Sequence, residues 1–405
     1  MALPPPGQTR FYPNTSMTDS TDSIFLQLQQ VHDRPSALAA ALQLADYFRD
    51  RGEYHRLFEV RKFAARLRAG AAPFSLQSPP ELTSAQSAAI EADLLLACRE
   101  VGAALTSSGH PGAAWTYLQP LDDTHFVRNL LEQTPRHEES IAELIQVCLF
   151  ERAHPEFGYA LVLQELGTCQ AISAFDSAAP ALSRDQRTSL AEKLIDHIYR
   201  ELGQSVRGAI LRARPEVEAE LDSVQLGELL ERFRDEIRRS TPHLDATHLV
   251  SAMRIGRQAV RLDSLRQSLI LSRYGQLLPD LLQYASEVPF TATYPDHERY
   301  FSALVSGDAR DAVAHLRQQA SLSTSDSDRS AALELAVDLL LRTGNSQAAA
   351  EIALSLGTEL GAAGIAPGLL EIGTQLTDPK PILDFLKAQH DVLAYAAIRL
   401  NQAIR

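Results

Sequence analysis

The sequence predicts an all-α fold built from helical hairpins, and three observations point there. Apolar residues recur with a period near 3.6 along most of the chain, as on one face of a helix. Runs of β-branched residues bounded by turn residues, which would signal strands, are missing. Glycine and proline fall between the periodic stretches, where they act as breaks. With 405 residues, 45% hydrophobic and 22% charged, the chain can bury sizeable cores and has the composition of an ordinary folded protein.

Taken in order, residues 1–22 are rich in Pro, Thr, Ser and Asp and poor in aliphatic side chains, so they are expected to form a disordered lead. Leu38, Ala41, Leu42, Ala45 and Phe48 then share a helical face that stops at Gly52, and Leu57, Phe58 and Leu67 begin the return helix. Prolines 73, 79 and 80 break the pattern before a long helix expected over about 84–106. Between residues 123 and 290 the helices lose any common period. They are expected around 138–152, 156–166, 185–212, 225–239, 245–261 and 263–277, with prolines 155, 180, 215, 242 and 279 between them. Aliphatic clusters at Leu333–Leu341, Ile352–Leu360 and Leu383–Leu400 complete the C-terminal part.

A turn grammar recurs in Gly52-Glu-Tyr-His-Arg-Leu57, Gly109-His-Pro-Gly-Ala-Ala114, Gly307-Asp-Ala-Arg-Asp-Ala312 and Gly344-Asn-Ser-Gln-Ala-Ala349. Each places glycine at a turn and an apolar residue five positions later, three times alanine. Glycine can take the left-handed conformation that ends a helix, and a small residue lets the next helix pack closely. This spacing resembles the inter-helix turn of tetratricopeptide repeats, and the last two turns lie 37 residues apart, near the repeat's usual length of about 34. The resemblance covers residues 35–120 and 294–403. It implies tetratricopeptide-like hairpins over 23–122 and 291–405, flanking an irregular central helical domain over 123–290. Ala153-His-Pro, Gly167-Thr-Cys-Gln-Ala-Ile172, His243-x-Asp245-x-x-His248-Leu249 and Tyr294-Pro-Asp-His-Glu-Arg-Tyr-Phe301 further resemble segments of uncharacterised planctomycete-type bacterial helical-repeat proteins, a resemblance that carries no activity with it.

Charge and cysteine usage narrow the function. With 51 acidic against 38 basic residues the net charge is −13, which repels a polyphosphate backbone, so nucleic acid is not an expected partner. Three cysteines without CxxC spacing indicate neither a disulfide framework nor a zinc knuckle. No stretch reaches the roughly 18 apolar residues of a membrane span, and no signal-peptide core stands at the start. A cytoplasmic protein with no membrane partner is expected.

Polar chemistry concentrates at residues 241–257. His243, Asp245 and His248 are two nitrogen donors and a carboxylate, a set that suits zinc or iron with open positions for substrate. On an ideal helix Asp245 and His248 lie roughly 60° apart but His243 roughly 140° from His248, so the three converge only if His243 sits in a bent segment before the helix. The other reading makes Asp245 an N-cap for the backbone. Leu121-Asp-Asp-Thr-His-Phe-Val127 echoes Leu244-Asp-Ala-Thr-His-Leu-Val250, as expected if this is simply how the protein starts a helix.

Arg254, Arg257 and Arg261 follow at i, i+3, i+7 and could clamp a carboxylate or phosphate. Residues 200–275 hold eleven acidic side chains and thirteen arginines, so a solvated, ion-paired face is the competing expectation. His154 and His297 each stand at a helix start beside proline and acidic residues and are candidates for a further ligand or proton carrier, against the surface role usual there. Cys169 is a candidate nucleophile without a local histidine. Glu192 and Asp196 share a helix face and could act as paired carboxylates, although Lys193 and Arg200 suggest ordinary surface pairing. Two function classes follow. One is an interaction or ligand-binding protein that receives an unidentified protein or small molecule on a concave surface. The other is a zinc- or iron-dependent hydrolase or oxygenase built on His243, Asp245 and His248, with His154 or His297 assisting.

Overall fold

A computed structural model describes residues 15–74, 82–221, 224–240, 243–284, 288–361 and 364–404. Among these residues there are helices, turns and no β-strand, so the fold is all-α. No helix in them is long and apolar enough to cross a membrane. The chain divides into two compact units at Gly158/Tyr159.

The first unit contains α1 (Thr15–Leu28), α2 (Arg34–Asp50), α3 (Tyr54–Arg68), α4 (Ser84–Ser107), α5 (Pro111–Leu118), α6 (Thr124–Glu132) and α7 (Glu138–Ile145), and ends within α8 (Pro155–Leu161). Helix α1 begins inside the stretch expected to be a disordered lead, and Thr21 Oγ1 lies 2.9 Å from the Tyr47 hydroxyl on α2. The apolar residues of this helix, Ile24, Phe25, Leu26 and Leu28, come after residue 22, and the polar stretch before them continues the same helix. The expectation for residues 1–14 lies outside the described residues.

Helices α2 to α5 pack each on the next. Their turns form as the sequence implied: Gly52 and Gly109 have φ of 69° and 82°, while Leu57 and Ala114 are fully buried. The predicted helix over 138–152 is real but not uniform. It passes from α7 into a π-helical turn over Gln146–Phe150, and a second π turn, Val162–Leu166, follows α8. Extra residues per turn of this kind leave no trace in a 3.6-residue apolar period.

The second unit is organised around one long helix. It holds α9 (Gly167–Ala178), α10 (Arg184–Ala213), α11 (Glu218–Leu221), α12 (Leu226–Arg232), α13 (Arg234–Arg239), α14 (Ala246–Gly256) and α15 (Leu262–Gly275). There follow α16 (Thr293–Ser306), α17 (Arg310–Leu322), α18 (Asp326–Arg342), α19 (Ser346–Leu356), α20 (Leu369–Gln375), α21 (Lys380–Ala388) and α22 (Val392–Ile404).

Helix α10 starts at a reciprocal cap between Ser183 and Gln186 and stops one residue short of Arg214–Pro215, since the residue before proline avoids helical geometry. Leu190, Leu194, Ile198, Leu202, Val206 and Ile210, four residues apart throughout, are at most 1% exposed, and α9, α13, α14 and α15 pack against this helix. Helices α15 to α19 continue as successive packed neighbours. The turns at Gly307 and Gly344 again have φ of 75° and 78°, with Ala312 and Ala349 buried after them. The single helix expected over 225–239 is interrupted at Phe233, whose ring is buried.

Candidate functional site

The stretch richest in polar residues is a helix start. Asp245 is the N-cap of α14, its Oδ1 accepting the Thr247 backbone N–H at 2.8 Å and the Thr247 hydroxyl at 2.6 Å. These two bonds, hydroxyl first, hold its carboxyl below the usual range. The His243 ring lies 3.0 Å from Ser240 Oγ through Nε2 and stands beside Tyr274, whose hydroxyl accepts the His243 backbone N–H at 2.9 Å. Burial, with a smaller contribution from Arg212, lowers its imidazole pKa.

Asp245 is engaged by Thr247 and the His243 ring by Ser240 and Tyr274, so the two are held by separate local partners. No group of three His, Cys, Asp or Glu among the described residues could hold a metal ion. The echoed segment is also a helix start, with a shift: Asp123 rather than Asp122 caps α6, accepting the Phe126 N–H at 3.0 Å.

The other single-residue candidates are scattered. His154 belongs to the first unit, where Nε2 is 2.9 Å from Glu132 and Nδ1 is 3.5 Å from Glu156. Cys169 is exposed on α9. His297 is no surface residue: it is 3% exposed, packed between the rings of Phe290 and Phe301, and its Nδ1 lies 2.6 Å from the Thr293 carbonyl. Burial first, then Arg257, push its pKa down to about 3. Such an imidazole stays neutral at physiological pH.

The arginine stripe, in contrast, opens onto a cleft. Within the second unit a space of about 1310 Å³ is lined by α9, the first turns of α10, the turn between α14 and α15, and parts of α16, α18 and the segment 364–371. Arg254, Arg257 and Arg261 all line it, together with Arg184, Arg187 and Arg342. The expected ion pairing is present, but with partners outside residues 200–275. Arg254 donates to both oxygens of Asp176 at 2.9–3.0 Å, and Arg261 Nε lies 2.8 Å from Glu192. Arg257 stacks over Phe290 and donates to the Arg254 carbonyl.

Glu192 therefore does something other than pair on the surface with its neighbours. It is 8% exposed, and its Oε1 accepts the backbone N–H groups of Val260 and Arg261 at 3.0 and 2.7 Å. Asp196 does pair with Arg200, at 2.9 Å. Across the cleft Glu334, wholly buried on α18, accepts the N–H groups of Ile365 and Ala366 at 3.0 and 3.3 Å. Two buried carboxylates thus fix two loops that frame the opening.

Arg342 adds a third tie. It donates to the carbonyls of Arg257 and Ala259 and to the Tyr300 hydroxyl, and the same hydroxyl donates to Asp338 at 3.2 Å. Burial pushes the Tyr300 phenol up, with Asp338 adding to it, so it remains a neutral donor.

Sequence reading missed Glu334, Asp338, Tyr300 and Arg342. A signal for three of them exists: Glu334, Asp338 and Arg342 stand four apart inside the run Ala331-Ala-Leu-Glu-Leu-Ala-Val-Asp-Leu-Leu-Leu-Arg342, where the surrounding aliphatic residues leave charged side chains no exposed face.

Comparison of the chain with models of known protein families, with curated proteins and with solved structures gave no match.

Proposed function

We propose that this is a ligand-binding protein of helical-hairpin architecture, with tetratricopeptide-like turns, that receives a small molecule in the cleft of its second unit. The observation that carries this reading is the way the cleft is framed. Burying a carboxylate is costly unless it is fully paired, yet Glu192 and Glu334 are spent on holding loops at 260–261 and 365–366. Loops fixed in advance lose less entropy when a ligand arrives. The volume, about 1310 Å³, exceeds by about a third the upper end of the usual small-molecule range of about 300–1,000 Å³. The metal-dependent enzyme reading has less support, because its ligand set is divided among a helix cap, a ring contact and a half-buried histidine.

The test is a fragment screen by saturation-transfer NMR on the whole chain and on Thr188→Trp, which places an indole in the cleft from a half-buried position on α10. Fragments that bind the wild type and lose their signal in a folded Thr188→Trp protein support the proposal. A set of fragments that bind both equally would refute it.

A further inference from the structure

Resting on the cleft reading above, we infer that the ligand carries an oxyanion, a carboxylate or a phosphoryl group, and docks it on Arg184 and Arg187 beside Arg342. The whole protein has a net charge of −13, yet the cleft wall holds six arginines against five carboxylates, Asp176, Asp185, Glu192, Asp338 and Glu371. Two of these arginines, Arg254 and Arg261, are closed off by carboxylates at 2.8–3.0 Å.

The other end of the cleft is different. Arg184 reaches Glu371 only at 3.4 Å and Asp338 at 3.7 Å, beyond the 2.7–2.9 Å typical of a charge-assisted hydrogen bond. Arg187, one turn further along the same face of α10, has as its partners among the described residues the carbonyls of Ala179 and Leu182 at 3.5 and 3.4 Å. Arg342 is 14% exposed and meets Asp338 at 3.6 Å.

One carboxylate is thus shared loosely between two guanidinium groups while a third lies nearby, and the Arg184 side chain, 59% exposed, is free to turn toward an incoming group. The same place shows the geometry an oxyanion would meet: Asp338 receives Arg184 on Oδ1, and Arg342 and the Tyr300 hydroxyl on Oδ2. Guanidinium forks match planar or tetrahedral oxyanions by paired N–H groups. A cationic ligand would have to displace these arginines from the wall.

The experiment is titration calorimetry with inorganic pyrophosphate and tricarballylate as anionic probes, alongside the neutral and cationic members of the fragment set. It is run on wild type, Thr188→Trp, Arg184→Gln and Arg184→Gln/Arg187→Gln. Anionic probes should bind the wild type and be lost in Thr188→Trp. They should weaken by about tenfold or more in the double variant, as expected for losing charge-assisted bonds, while neutral probes change little. Pyrophosphate bound without tricarballylate marks a phosphoryl ligand, and the reverse a carboxylate. Arg184→Gln alone, at an exposed position, keeps the test valid should the double variant fold poorly. If neutral or cationic probes occupy the cleft and anions do not, the oxyanion inference fails while the cleft reading stands. If no probe of any class is sensitive to Thr188→Trp, both fail.

Discussion

The segment 243–248 and the cleft wall behind Glu192 use the same kinds of residue to different ends. In the first, two histidines and an aspartate lie within six positions, and each serves its own neighbourhood: a cap on Thr247, a contact with Ser240, a place on a helix flank. In the second, Glu192 reaches across 68 and 69 residues to the backbone of Val260 and Arg261, and Arg342 across 85 to the carbonyl of Arg257. Density along the chain is what a capped helix start produces. Convergence of distant segments is what produces a framed cavity.

The sharpest way to break this contrast is at Glu192. Removing it with Glu192→Ala takes away the buried acceptor of two backbone N–H groups, and should cost about 3 kcal/mol of stability. Glu192→Gln, which keeps an acceptor, should cost less. Chemical denaturation of the three proteins checks this, and an Ala variant as stable as wild type would mean that the frame carries no stability.

His297 offers the next largest effect. Its imidazole is held near pKa 3 in the folded chain against an ordinary 6.5, so below about pH 6.5 the unfolded chain binds a proton that the folded chain does not. Stability is therefore fully present above that pH and falls as pH drops toward 3, by up to about 1.4 kcal/mol per unit. The difference in pH slope between wild type and His297→Phe between pH 6 and 4 isolates this contribution. Equal slopes would show that the imidazole is solvated in the native state.

Asp245 should give the smallest change. As a cap, Asp245→Ala should cost about 1 kcal/mol and Asp245→Asn only a few tenths, since the amide oxygen still accepts the Thr247 N–H. Thermal denaturation distinguishes the two. A loss in Asn as large as in Ala would require the charge itself.

The contrast also explains what the sequence could and could not reveal. Helix starts, glycine turns and the buried residue five positions later are local, and Gly52, Gly109, Gly307 and Gly344 adopt the left-handed geometry that their context implied. The arginine stripe was visible too, but its partners Asp176 and Glu192 come from other helices, which no local window joins to it. His297 carried the marks of a surface helix start, next to Pro295 and Glu298. Only the packing of Phe290 and Phe301 around it makes it a core residue.

We place the binding site in the cleft and not at the helix start that concentrates the polar residues, as a proposal. Ligand-detected NMR with one fragment that binds wild type, repeated on Asp245→Asn, His248→Ala and Thr188→Trp, distinguishes the two locations. The cleft account expects the signal to survive in the first two variants and vanish in the third. A signal lost in Asp245→Asn and His248→Ala but kept in Thr188→Trp would contradict it and return the function to residues 243–248.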